Sequence, residues 1–487
     1  MPNINNYVEK YKNISFRRRG LTPLDVMAIN EISYVALSEV VSKEFDFGKA
    51  CGIKDILNYY NEHEKELKTN NILFPSKRVK LLRLMANSRR FRDIELCAYR
   101  EELDVLNEVQ FCACIVKVPF VADFITFRGT DDNVVSWKED FKMSYLSKIP
   151  AQKLACKYLK EALDNLNGSF ILTGHSKGGN LAVYSAACVD ESLRERIERI
   201  YTYDAPGVHE SVVESEGYRA IKSKVIAYVP EDTVVGALLE TDVQTVVIKS
   251  KLFGVMQHIV YNWQIKGHDF DKVKKRTDGS ILFEKALKQW MKNYTEEELK
   301  VICDVAFDLF ADIKIVSFLE FKDEFHKKVS DLIKAVKSID ENDSKLINKA
   351  FSELMHIYIS LATEKLKNNK PKFNKNKKQH TKDKISEKHS NIELLELIRS
   401  KLSFIGGSQA VDNEDNALDF IRSKLSFIGG SQAVDNEDNA LDFIKSKLSF
   451  ITGSQAVDNE DNALDFIKSK ISFITGSQTK DDEDVVE

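Results

Sequence analysis

From about residue 109 the chain carries short runs rich in β-branched and aromatic residues: FCACIV, FITF, FILTG, IYTYD, VIAYV and TVVIKS. Several are separated by helical stretches such as AQKLACKYLKEALDNL. Runs of this length read as strands, and their alternation with helices predicts an α/β fold with a mostly parallel sheet covered on both faces. Ahead of them, residues 1–108 read as mostly helical: LTPLDVMAINEISYVALSEVV spaces its apolar side chains three and four apart behind a Thr-Pro start. After about residue 290 the strands stop. YTEEELKVICDVAFDLFADI opens with Thr295 and Glu298 in capping-box spacing, which predicts a helical region over 291–366.

The pattern then changes twice more. Residues 367–392 are so dense in Lys and Asn, and so poor in apolar side chains, that no core could offset the entropy of ordering them, and they read as a linker. The tail, 393–487, repeats itself: NALDFIRSKLSFIGGSQAVDNED at Asn416 recurs at Asn439 and Asn462, with a degenerate copy beginning near Glu393. Each 23-residue copy can form one apolar face, as Leu418, Ile421, Leu425 and Ile428 do, between an N-cap at Asn416 and a stop at Gly429. A helix of about three turns is marginal alone. The copies are therefore expected to stack, to bind a partner or to serve as a spacer.

Composition narrows the classes. A chain of 487 residues needs more than one ordinary core, and 43% hydrophobic content is that of a globular protein. A net charge of -4 gives no general pull toward nucleic acid. The seven cysteines are scattered, with no CxxC pair, and read as reduced packing residues; no metal site is expected. No apolar run approaches the ~18 residues of a membrane span, and no leader pattern follows Met1, so a soluble, cytoplasmic protein is expected. Between Lys365 and Lys388 ten lysines face two acids, which makes residues 365–487 a candidate for peripheral membrane or protein contact.

The candidate chemistry lies at Gly174-His175-Ser176-Lys177-Gly178. This motif follows a predicted strand and opens a predicted helix, the context a nucleophile elbow needs, with Gly174 and Gly178 allowing the sharp turn and close packing. A hydroxyl needs an imidazole to take its proton, and the imidazole needs a carboxylate to orient it. In the order Ser, acid, His, the candidates are Asp232, in the turn after VIAYV, and His258, beyond the last strand. Asp204, ending IYTYD, is the rival acid, and His175, His209 and His268 are the competing bases. Two backbone N–H groups are needed for the developing oxyanion; Thr130, after FITFRG, and Lys177 are the candidates.

The segments QFCACIV, FRGTDDNVVSWKEDFKMSY, PAQKLACKYL, LTGHSKGGNLAVYSA, YTYDAPGVHE, VPEDTVVGALLE and VIKSKLFGVMQHIVYNW, all within residues 15–272, resemble the bacterial Mbeg1-like family of the α/β-hydrolase superfamily, related to class 3 lipases. The resemblance implies an α/β-hydrolase core over 109–290, with 1–108 as the helical N-terminal part of the same domain. It implies Ser176, Asp232 and His258 as triad, and Thr130 and Lys177 as oxyanion donors. One departure is Lys177, a cation where true lipases usually carry an apolar residue. The expected function is a serine esterase or lipase-like hydrolase acting on a small-molecule or lipid ester without a cofactor. Phospholipase, thioesterase and peptidase substrates stay open, and the alternative is an interaction or membrane-surface protein whose hydrolase domain is secondary.

Overall fold

The computed structural model describes residues 2–35, 37–64, 75–104, 109–130, 134–252, 254–312 and 340–368. The expected repeats at 393–487, and the linker beyond residue 368, lie outside the described residues, as do all but residues 365–368 of the stretch 365–487 expected to make partner contacts. Eight strands form one sheet in chain order: β1 (Cys51–Gly52), β2 (Glu95–Asp104), β3 (Val109–Val118), β4 (Ala122–Phe127), β5 (Phe170–His175), β6 (Ile197–Tyr203), β7 (Val225–Pro230) and β8 (Gln244–Ile248). The pairs from β1 to β4 are antiparallel and those from β4 to β8 are parallel. All six predicted runs are strands. The parallel half puts successive strand ends on one edge, where an α/β sheet builds its sites.

Side-chain alternation splits the core into two layers. Along β3, Phe111, Ala113 and Ile115 enter one layer and Cys112, Cys114 and Val116 the other. The first layer is closed by α6 (Pro150–Asn165) and α7 (Lys177–Cys188), through Leu159, Leu163, Leu181 and Ala186. On the second layer lie α1 (Ile4–Tyr11), α2 (Pro23–Ile32), α3 (Ile53–Glu62) and α4 (Pro75–Ala86), contributing Tyr7, Val8, Met27, Ile56, Leu82 and Met85. The helical start of the chain is thus one cover of the sheet.

The caps show why these helices begin where they do. Thr22 accepts the Asp25 amide while the Asp25 carboxylate accepts the Thr22 amide at 2.8 Å, with Pro23 in the first turn. Asp25 is held further by Arg90, whose Nε and Nη2 donate to it at 2.7 and 2.6 Å and whose other N–H groups reach the carbonyls of Ile14, Arg19 and Gly20. The apolar pattern that suggested a longer helix ends at Ile32, because the Ser33 amide and hydroxyl turn back to the Asn30 carbonyl.

The sequence pattern did not announce β2, which begins within the stretch expected to be helical. Its first half is buried at consecutive positions and its second half mostly exposed, and a bulge between Cys97 and Arg100, with Ala98 at φ 52°, breaks the two-residue period. Of the expected region 291–366, α8 (Glu296–Asp312) begins with the predicted reciprocal cap, Thr295 N–H to Glu298 at 2.9 Å and Glu298 N–H to Thr295 Oγ1 at 3.2 Å. It packs on α5 (Val134–Lys142) through Phe307 against Phe141 and a Lys138–Asp304 ion pair at 2.8 Å. A separate unit contains α9 (Glu341–Asn368), whose surface carries a Lys345–Glu341 pair. All seven cysteines are free. Among the described residues no helix is long and apolar enough to cross a membrane, and no cluster of His, Cys, Asp and Glu could hold a metal ion.

Candidate active site

The predicted elbow is present. β5 ends at His175, α7 begins at Lys177, and Ser176 between them has φ 58° and ψ -136°, a conformation costly for a residue with a side chain. The two glycines are required by contact: a Cβ on Gly174 would lie 2.1 Å from the Gly178 carbonyl carbon, and one on Gly178 would lie 2.1 Å from the Phe127 carbonyl oxygen. Any side chain there would push α7 off the sheet. The Ser176 amide is tied to the Tyr203 carbonyl at 3.0 Å, which sets the serine beside the end of β6.

Asp204 is the next residue after that carbonyl. It also has positive φ, at 43°, and is 1% exposed. Its Oδ2 accepts the Nδ1–H of His258 at 2.7 Å; its Oδ1 accepts the Thr233 hydroxyl and the Gly236 amide. Both carboxylate oxygens are therefore occupied, and the imidazole is held through Nδ1, with Nε2 as the ring nitrogen turned from the carboxylate. His258 closes a short 3₁₀ turn, Gly254–His258, beyond β8, and its ring stacks on His175 with centroids 4.5 Å apart. His175 Nε2 donates to the His258 carbonyl at 2.9 Å. Burial and the neighbouring His258 push the His175 pKa well below the ordinary value, so this ring is a neutral spacer between the elbow and His258.

The carboxylate bonded to His258 is Asp204 and not the expected Asp232. Asp232 does not orient His258: its Oδ1 accepts the Thr277 hydroxyl at 2.6 Å, and its amide donates to Gln257 at 2.9 Å. The reason is topological. Asp232 lies past the end of β7, one strand beyond β6, whereas Asp204 at the end of β6 adjoins the elbow on β5. The competing rings are engaged elsewhere, His209 with Ser211 at 2.8 Å and His268 with Arg19 at 2.7 Å.

The Arg128-Gly129-Thr130 loop lies against the serine, since a Cβ on Gly129 would stand 3.0 Å from Ser176 Cβ. Thr130 donates its hydroxyl to Asp140. Lys177 opens α7, so its backbone N–H has no intrahelical acceptor. Its side chain is fully buried, with Nζ 2.8 Å from Glu139 Oε2 and 3.6 Å from Asp140, so the cation does not stand at the site mouth. Glu139 also accepts the amides of Gln110 and Ala151, both at 3.1 Å. Asp140 is pushed up to about 6, chiefly by burial, against the pull of Lys177 and the Thr130 hydroxyl. Sequence reasoning did not single out Glu139 or Asp140, whose only signal was two acids following the FRGT loop in SWKEDF.

A mostly parallel sheet covered on both faces, with a GxSxG elbow strained at its serine, is the architecture of the α/β-hydrolase class. Within the chain, residues 85–308 match the family model described as Mbeg1-like, the resemblance carried by the motifs above. Among solved structures, a crystal structure of M37 lipase is similar at 14% identity, covering 45% of this chain and 70% of that one, with a TM-score of 0.30. No curated protein matches.

Proposed function

We propose that this protein is a serine hydrolase acting on carboxylic esters, with Ser176 as nucleophile, His258 as general base and Asp204 as the orienting acid. The observation that carries this reading is the 2.7 Å contact between His258 Nδ1 and Asp204 Oδ2, beside a serine held in the left-handed region. Ser176 Oγ attacks the acyl carbonyl as His258 Nε2 takes its proton, and the backbone N–H groups of Thr130 and Lys177 meet the oxyanion. His258 then returns the proton to the leaving alkoxide. Water, deprotonated by the same ring, releases the acid and restores the serine. The substrate class is a small-molecule or lipid ester, as the resemblance to lipases implies.

The test is labelling by a fluorophosphonate probe, run beside a panel of chromogenic esters of rising chain length. Wild-type protein is expected to label at Ser176 and to hydrolyse at least one ester, with Ser176→Ala silent in both assays. A folded wild type that neither labels nor hydrolyses would end this reading.

A further inference from the structure

The N-terminal helical cover carries one side chain into the site. Tyr34 follows α2, outside the stretch matched by the family model, and its hydroxyl is buried between two loops that the proposed chemistry uses. The Gly129 amide donates to Tyr34 Oη at 2.9 Å. The same oxygen lies 3.3 Å from the His175 carbonyl and 3.3 Å from His175 Nδ1. Since His175 Nε2 gives its proton to the His258 carbonyl, Nδ1 is an acceptor, and the single tyrosine proton goes to one of the two His175 acceptors. Burial pushes the Tyr34 pKa well above its ordinary value, so the hydroxyl keeps that proton. The ring is fixed from the other side by the Arg78 guanidinium, 3.9 Å from its centroid, and Arg78 in turn pairs with fully buried Glu31 at 3.1 Å.

From this geometry we infer that Tyr34 is a positioning residue, whose hydroxyl joins the loop presenting Thr130 to the elbow presenting Ser176 and, through His175, to the base at His258. The inference rests on the reading of Ser176 and His258 given above. Gly129 immediately precedes Thr130, and His175 immediately precedes Ser176, so one oxygen sets the separation between an oxyanion donor and the nucleophile. Displacements on the order of 1 Å at such a pair can cost about 100-fold in rate.

Tyr34→Phe removes the oxygen and keeps the ring under Arg78. With a soluble chromogenic ester, kcat is expected to fall roughly 10- to 100-fold while KM stays within about 2-fold, because the lost alignment matters in the transition state. By NMR, exchange of the Gly129 amide is expected to accelerate at least ~10-fold, since its buried acceptor is gone. Wild-type kcat with unchanged exchange would overturn the inference. A loss of kcat accompanied by collapse of the thermal melt would overturn it too, because Tyr34 would then serve the core and not the loop. If wild-type protein fails to label with fluorophosphonate, the reading of Ser176 fails, and exchange at Gly129 still decides the bridge independently.

Discussion

Asp25 and Asp204 are both carboxylates withdrawn from water, at 0% and 1% exposure, and each accepts hydrogen bonds at both oxygens. Asp25, in the helical cover, faces Arg90, a cation that never gives up its proton, and the pair stitches α2 to the chain segments around Ile14 and Gly20. Asp204, at the end of β6, faces an imidazole that can gain or lose a proton and whose side chain is 24% exposed. Asp25 also sits in an ordinary helix, whereas Asp204 occupies a strained backbone position. Burial and hydrogen bonding alone therefore do not separate the two carboxylates; the partner each one holds, guanidinium or imidazole, does.

The largest effect should come from Asp204→Asn, expected to lower kcat about 10,000-fold by letting His258 take the wrong tautomer, with the melting curve moved far less. Steady-state hydrolysis beside a thermal melt measures both. Asp25→Ala should do the reverse: it strands Arg90 in the interior, costing about 3–5 kcal/mol in urea denaturation, while the folded fraction turns over near the wild-type rate. Smaller still, Asp232→Ala removes the Thr277 contact and should cost about 1 kcal/mol with no loss of kcat. A large loss of kcat in that variant would return the acid's role to Asp232.

A pH dependence is expected as well. Asp140 rises from 3.8 to about 6 in the fold, so between those values the native state holds a proton that the unfolded chain has released. Stability contributed by this group is present below pH ~4 and is lost as pH rises toward ~6. Asp140→Asn should flatten that decline in paired urea melts across the window, and a wild-type slope surviving in the variant would place its origin elsewhere.

Much of this was legible in the sequence. All six apolar runs became strands, Gly174 and Gly178 sit where backbones cross, and Ser176 turns the elbow, because strand length, glycine spacing and motif context are local signals. The carboxylate that meets His258 was not legible. Asp204 and Asp232 both end strands, and the choice between them depends on which strand neighbours β5, a property of the assembled sheet. Tyr34 was hidden for a similar reason: it lies 141 residues from His175 in sequence, within what reads as a continuous helix. The strand β2 escaped because its bulge and half-exposed surface blur the period that would identify it.

Thr130, Ser176, Asp204 and His258 each follow a different strand of the parallel half, β4, β5, β6 and β8. The candidate site is thus assembled from four separate connectors standing on one sheet. Insertions within one connector can reshape what the cleft admits without re-registering the strands, so changes in substrate preference within such a lineage would be expected as loop variation over a constant sheet.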